Sequence, residues 1–139
     1  MAAARASRYP DARMKLVLAI AVGGAFGAVA RHFVGQQVSH LLGQGFPWST
    51  LAVNVAGSLV MGVLVEAMAL NWNVSPEIRA LLTVGVLGAF TTFSTFALDA
   101  VSLHARGEDL LALTYCVASV VLCVGGVFAG MRAVRLVLA

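Results

Sequence analysis

Apolar residues fall into four long blocks along this chain, separated by short polar, glycine- or proline-containing connections. A bilayer-spanning helix takes roughly 20 apolar residues, and each block reaches that length. The pattern predicts four transmembrane helices at about Lys15 to Leu42, Ser49 to Leu70, Pro76 to Leu103 and Asp109 to Leu136. In the first, Gly23, Gly27 and Arg31 recur every fourth residue, as do Gly24 and Ala28. Small-residue stripes of this kind let another helix approach closely. The far half carries Arg31, His32, Gln36, Gln37, Ser39 and His40 and reads as amphipathic, lining a watery entrance or an interface. In the second block Asn54, Gly57, Ser58 and Met61/Gly62 fall on one helical face.

The third block opens on Ser75-Pro76-Glu77, an N-cap, a proline at the first helical position and an acid in the first turn. Inside it lies Gly85-Val86-Leu87-Gly88-Ala89-Phe90-Thr91-Thr92-Phe93-Ser94-Thr95-Phe96. Hydroxyls at membrane depth must be satisfied by protein, water or an ion. The glycines weaken a helix and the threonine pair competes for its backbone, so a break is expected near Gly88 to Thr92. The fourth block carries Tyr115, Ser119 and Cys123 in an i, i+4, i+8 line, and a Gly126/Gly130 pair.

Composition agrees with the pattern. The 139 residues are 60% hydrophobic and 11% charged, whereas soluble domains carry about 25% charged residues. The class is all-α integral membrane. Residues 1–13 read as a disordered basic tail before a retained helix, and residues 14–139 as a single four-helix membrane domain. The net charge of +3 does not indicate nucleic acid, because the basic residues sit at span ends, where they set orientation and meet anionic lipid. With both termini on one side, that side carries Arg5, Arg8, Arg13, Lys15, Arg79, Arg132 and Arg135, against Arg106 and Arg31 opposite. This favours cytoplasmic termini. Cys116 and Cys123 are about 10 Å apart on one helix, too far for a disulfide.

Enzyme signals are nearly absent: there are no paired carboxylates, HExxH or CxxC, and no nucleophile with an evident base. Gly23-Gly24-x-x-Gly27 lies within a span and reads as helix packing rather than a nucleotide loop. Phe93 and Phe96 share a face, and their electropositive ring edges can line an anion path. Asn54, Ser94, Thr95, Tyr115 and Ser119 supply neutral donors, which stabilise a permeating anion without trapping it. If the helix breaks, the Gly88 and Thr91 carbonyls lose intrahelical partners and can face a hard cation such as Na⁺. Glu66 reads as an interfacial residue or a proton-coupled site.

The segments GGAFGAVAR (23–31), TLAVNVAGS (50–58) and GVLGAFTTFSTFALD (85–99) resemble the bacterial CrcB/Fluc fluoride channels, over essentially residues 14–136. The resemblance implies a passive fluoride exporter of the cell membrane that relieves cytoplasmic fluoride toxicity. It implies an antiparallel dual-topology dimer with a broken third helix; the basic tail makes a heterodimer with a paired homologue the alternative to a homodimer. Phe93 and Phe96 match the family's anion-lining phenylalanines, Asn54 its pore asparagine, and Ser94 and Thr95 its hydroxyl positions. Tyr115 and Ser119 resemble its polar track, and Arg31 its vestibule arginine. Gly88 and Thr91 match the positions whose carbonyls hold a structural Na⁺ at the dimer centre. Cys123 replaces a hydroxyl, Asp99 stands where glutamate is common, and His32 replaces an aromatic. The competing reading is a small proton-coupled multidrug-type exporter, which would need a carboxylate in the first span; none is there.

Overall fold

The computed structural model describes residues 8–70 and 72–138, and every regular element among them is helical. Helix α1 spans Arg8–Leu42 and α2 spans Trp48–Leu70. Helix α3, Pro76–Ala80, passes into a π-helical segment, Leu81–Leu87, and then into the short α4, Gly88–Phe90. Helix α5 covers Phe93–Ala105 and α6 covers Asp109–Leu138. Four stretches are long and apolar enough to cross a membrane: Asp11–Leu42, Trp48–Leu70, Pro76–Ala105 and Asp109–Leu138. The chain is a multi-pass membrane protein.

The tail expected over residues 1–13 is described only in part. Residues 1–7 lie outside the described residues, and α1 already begins at Arg8. Pro10 does not prevent this, because the first four N–H groups of a helix have no intrahelical partner to lose. Asp11 adds an acid in the first turn, where it complements the helix dipole.

The start of α3 follows its sequence. Ser75 is the N-cap, its hydroxyl accepting from the Ile78 N–H at 3.3 Å, with Pro76 and Glu77 in the first turn. The π segment has no counterpart in the sequence reading. Within it the Thr83 hydroxyl donates to the Arg79 carbonyl at 2.8 Å, the acceptor that its own N–H would use in an α-helix. Downstream, the Gly88 N–H reaches the Thr83 carbonyl, five residues back.

Two glycine seams hold the spans together. Helix α2 lies along α6: a Cβ on Gly62 would collide with the Val127 carbonyl, and one on Gly130 with the Leu59 carbonyl. Helix α1 lies along the π segment, with Gly23 against the Leu81 carbonyl and Gly27 against that of Val86. The Gly23/Gly27 stripe is therefore a contact. In the parallel Gly24/Ala28 stripe, a Cβ on Gly24 would meet nothing within this chain. Connections are tight. Helix α5 ends on Gly107 (φ 78°), with the Gly107 N–H bonding the His104 carbonyl and the Glu108 N–H that of Leu103, a pairing that closes helix C-termini.

Large apolar side chains such as Val17, Phe26, Leu98, Val121 and Phe128 stay exposed along the outer faces of the spans. In a bilayer, exposure of such side chains to acyl chains would carry no hydrophobic cost. The small core joins Leu51 of α2, Leu103 of α5 and Tyr115 of α6, with Phe46 and Phe96 packed against it. Cys116 and Cys123 are both free thiols.

Candidate functional site

Between α4 and α5 the chain leaves helical geometry for two residues. Thr91 has φ −80°, ψ 159° and Thr92 has φ −152°, ψ 115°. The hydrogen bonds there are redistributed rather than lost. Thr91 closes α4, its N–H and its hydroxyl both donating to the Leu87 carbonyl at 3.0 Å. The Thr92 N–H, which an unbroken helix would give to the Gly88 carbonyl, donates to Asn54 Oδ1 at 2.7 Å. Asn54 Nδ2 in turn donates to the Thr92 carbonyl at 3.0 Å. One side-chain amide on α2 thus clasps both backbone groups of one extended residue.

Thr92 is also the N-cap of α5. Its Oγ1 accepts from the Thr95 N–H at 3.3 Å and donates to Thr95 Oγ1 at 3.0 Å, and it lies 3.4 Å from Ser94 Oγ. The Thr95 N–H would otherwise have gone to the Thr91 carbonyl. The carbonyls of Gly88 and Thr91 therefore both face donors that have turned elsewhere. Gly88 is exposed and Thr91 half-buried, so a hard cation held by oxygen ligands fits this pair chemically.

Two cavities meet at the break. A polar vestibule of about 880 Å³ is lined by Arg31, His32, Gln36, Gln37 and His40 of α1, by Ser49 and Thr50 of α2, and by Thr92 and Thr95. The polar half of the first span lines a wide opening, as its pattern indicated, and no carboxylate among the described residues lines it. An apolar groove of about 360 Å³ lies beyond, between Asn54 and Ser58 of α2, Thr91 to Phe93 and Phe96 at the break, and Ser119 and Cys123 of α6. Among the described residues, Thr92 is the one that lines both.

The aromatic side chains form a continuous file. Phe93 and Phe96 have ring centroids 5.3 Å apart, Phe96 and Tyr115 are at 5.2 Å, and Tyr115 meets Phe46 edge-on at 5.5 Å. Phe93 is 79% exposed in the single chain, whereas Tyr115 is fully buried. The Tyr115 hydroxyl donates to Asp99 Oδ2 at 3.3 Å. Ser119 is buried, and its Oγ has no protein partner, although its residue lines the groove. A buried hydroxyl without a partner costs free energy, so a ligand or water in the groove would relieve it.

The structure thus gathers Asn54, Phe93, Phe96 and Ser119 on the groove and Arg31 and Thr95 on the vestibule. Ser94 is exposed beside the cap, and Tyr115 stands behind Phe96 rather than on the groove wall. Sequence reasoning missed Thr92 and Phe46. Thr92 carried a signal, because threonine is a preferred N-cap residue and a helix restart was expected just after it. Phe46 carried none, lying in a turn remote in sequence. Glu66 is buried and ion-paired with Arg135, Nε to Oε1 at 2.6 Å, across the α2–α6 seam.

Comparison with known proteins decides the family. The model of the CrcB-like protein, camphor resistance (CrcB) family matches residues 18–131. The chain belongs to the CrcB-like family. It is 52% identical over 122 residues to a fluoride-specific ion channel FluC of Rhodospirillum centenum, covering 88% of this chain and 97% of that one. A FluC of Rhizobium etli is 52% identical over 118 residues, covering 85% and 94%, and a FluC 1 of Nitrobacter hamburgensis is 48% identical over 119 residues, covering 86% and 94%.

Proposed function

We propose that this CrcB-like protein is a fluoride-specific ion channel that lets fluoride leave the cell passively across the bacterial inner membrane. The observation that carries the reading is the near-complete alignment, at about half identity, with relatives that bear that name. The site's chemistry supports it. The vestibule offers cationic Arg31 and no carboxylate, and the path beyond offers neutral donors and ring edges. A small, strongly hydrated anion needs donors to replace its water, each weak enough to let it go. Thr95, the remaining Nδ2 hydrogen of Asn54 and the Ser119 hydroxyl are such donors. Phe93 and Phe96 add ring edges, while Ser94 and Tyr115 complete the hydroxyl set.

The exposed Phe93 and Gly88 mark a face that a second copy would cover, in an antiparallel homodimer or in a pair with a homologue of opposite orientation. Gly88 and Thr91 would hold Na⁺ through their carbonyls at its centre. When bound, the ion supplies positive charge and ties two interrupted helices together. The chain's own part is to keep those carbonyls free, by turning the Thr92 and Thr95 N–H groups to Asn54 and to the cap. No catalytic residue is assigned. The exporter reading loses its best carboxylate, because Glu66 is engaged by Arg135.

Fluoride efflux from proteoliposomes loaded with fluoride or chloride tests the function. Fluoride is expected to leave and chloride to stay; equal permeation of both would end the claim of selectivity.

A further inference from the structure

The Thr92 backbone and its cap keep carbonyls free, but the proton of the Thr92 hydroxyl has a separate role to fill, because Thr92 lines both cavities and sits at the centre of the hydrogen-bond pattern. We propose that Thr92 is a positioning residue that aims the Thr95 hydroxyl proton into the vestibule. The proposal rests on the fluoride-channel reading and deepens it.

A hydroxyl has one proton and two lone pairs. The Thr92 oxygen accepts from the Thr95 N–H and gives its proton to Thr95 Oγ1 at 3.0 Å, which leaves Ser94 Oγ, 3.4 Å away, as the donor in the longer contact. Thr95 Oγ1 is therefore an acceptor in that contact, and its own proton must point elsewhere. Thr95 is exposed and lines the vestibule, so that proton is presented where an anion arrives. In membrane helices the usual fate of such a proton is the carbonyl four residues back. Here that carbonyl belongs to Thr91, and the cap geometry leaves the hydroxyl bonded to Thr92 instead. Thr92 is itself fixed from outside the segment: the Asn54 clasp holds its N–H and its carbonyl at 2.7 and 3.0 Å. A donor oriented before the ion arrives needs no reorganisation when it does. The chain of control runs from Asn54 to Thr92 to Thr95 to the anion.

The test is a double-mutant cycle in reconstituted vesicles, read as fluoride flux. Thr92→Val suits the extended backbone at this position, because β-branched side chains favour it. It removes the hydroxyl and leaves the backbone clasp to Asn54 intact. Loss of one hydrogen bond to a charged ligand is worth roughly ten- to hundredfold, so Thr92→Val and Thr95→Val are each expected to lower flux at least about tenfold. The double variant is expected to match either single variant, because one removes the proton and the other removes its aim, and both act on the same donor. Thr92→Ser is expected to retain wild-type flux. Thr92→Asn separates aiming from capping. Its amide oxygen still caps the helix, while its NH₂ points away from that oxygen, so flux is expected to fall without a fall in the unfolding midpoint. Thr92→Asn also replaces the valine variant if that fails to assemble. Multiplying losses in the double variant, or wild-type flux in Thr92→Asn, would overturn the proposal while leaving the channel reading intact. A wild-type protein that conducts no fluoride overturns both.

Discussion

At Asn54 one planar amide takes over main-chain bonding that the third span gives up. Its oxygen receives the Thr92 N–H and its nitrogen serves the Thr92 carbonyl. Two partly buried hydrogen bonds of this kind contribute about 1 kcal/mol each, because folding only exchanges them for bonds to water. Asn54→Ala is therefore expected to destabilise the protein by about 2 kcal/mol, read as a lowered unfolding midpoint in detergent. Asn54→Asp keeps the acceptor and loses the donor, and is expected to fall lower in flux than in stability. An Asn54→Ala protein as stable as wild type would show that the clasp is incidental. Asn54 was legible in the sequence as a polar group on a helix face. Its partner was not, because nothing in local periodicity points across 38 residues to an extended threonine.

At the scale of elements, the seams between spans are made of absent side chains. Gly27 of α1 lies where any Cβ would enter the Val86 carbonyl, whereas Gly24, three residues earlier on the same helix, meets nothing. Both have the same spacing logic in the sequence, and only packing separates them. Gly27→Ala is expected to cost more than about 2 kcal/mol, as overpacking against backbone does. Gly24→Ala is expected to be neutral or slightly stabilising through helix propensity. Equal effects in thermal unfolding would mean that the α1 contact does not bear on stability. The spans themselves, the Ser75–Pro76 start and the small-residue faces were readable because hydropathy and capping are local signals. The π segment was not. Its apolar pattern over Leu81–Leu87 is the same as that of an α-helix, and the difference lies in a Thr83 hydroxyl bond and in the close approach of α1.

For the whole molecule, the outward exposure of the site matters most. Phe93 is 79% exposed and Gly88 opens to the surface of the single chain, while Ser119 waits inside without a partner. If the Gly88 and Thr91 carbonyls bind Na⁺ between two copies, replacing Na⁺ by a much larger cation during purification weakens the dimer. Size-exclusion elution at falling protein concentration reads this directly, and unchanged association in the larger cation would remove Na⁺ from the assembly.

The polar vestibule has an electrical consequence. Filled with water, its 880 Å³ carries a high dielectric constant down to Thr92, and little of the transmembrane voltage can fall across it. The field is concentrated instead on the narrow, low-dielectric stretch beyond Thr92, beside the phenylalanines. An ion moving through the full potential exchanges about 2.3 kcal/mol per 100 mV. In this protein most of that work would be done beyond the Thr92 threshold, along the groove that runs from Asn54 to Met61 of α2 and from Ser119 to Val127 of α6.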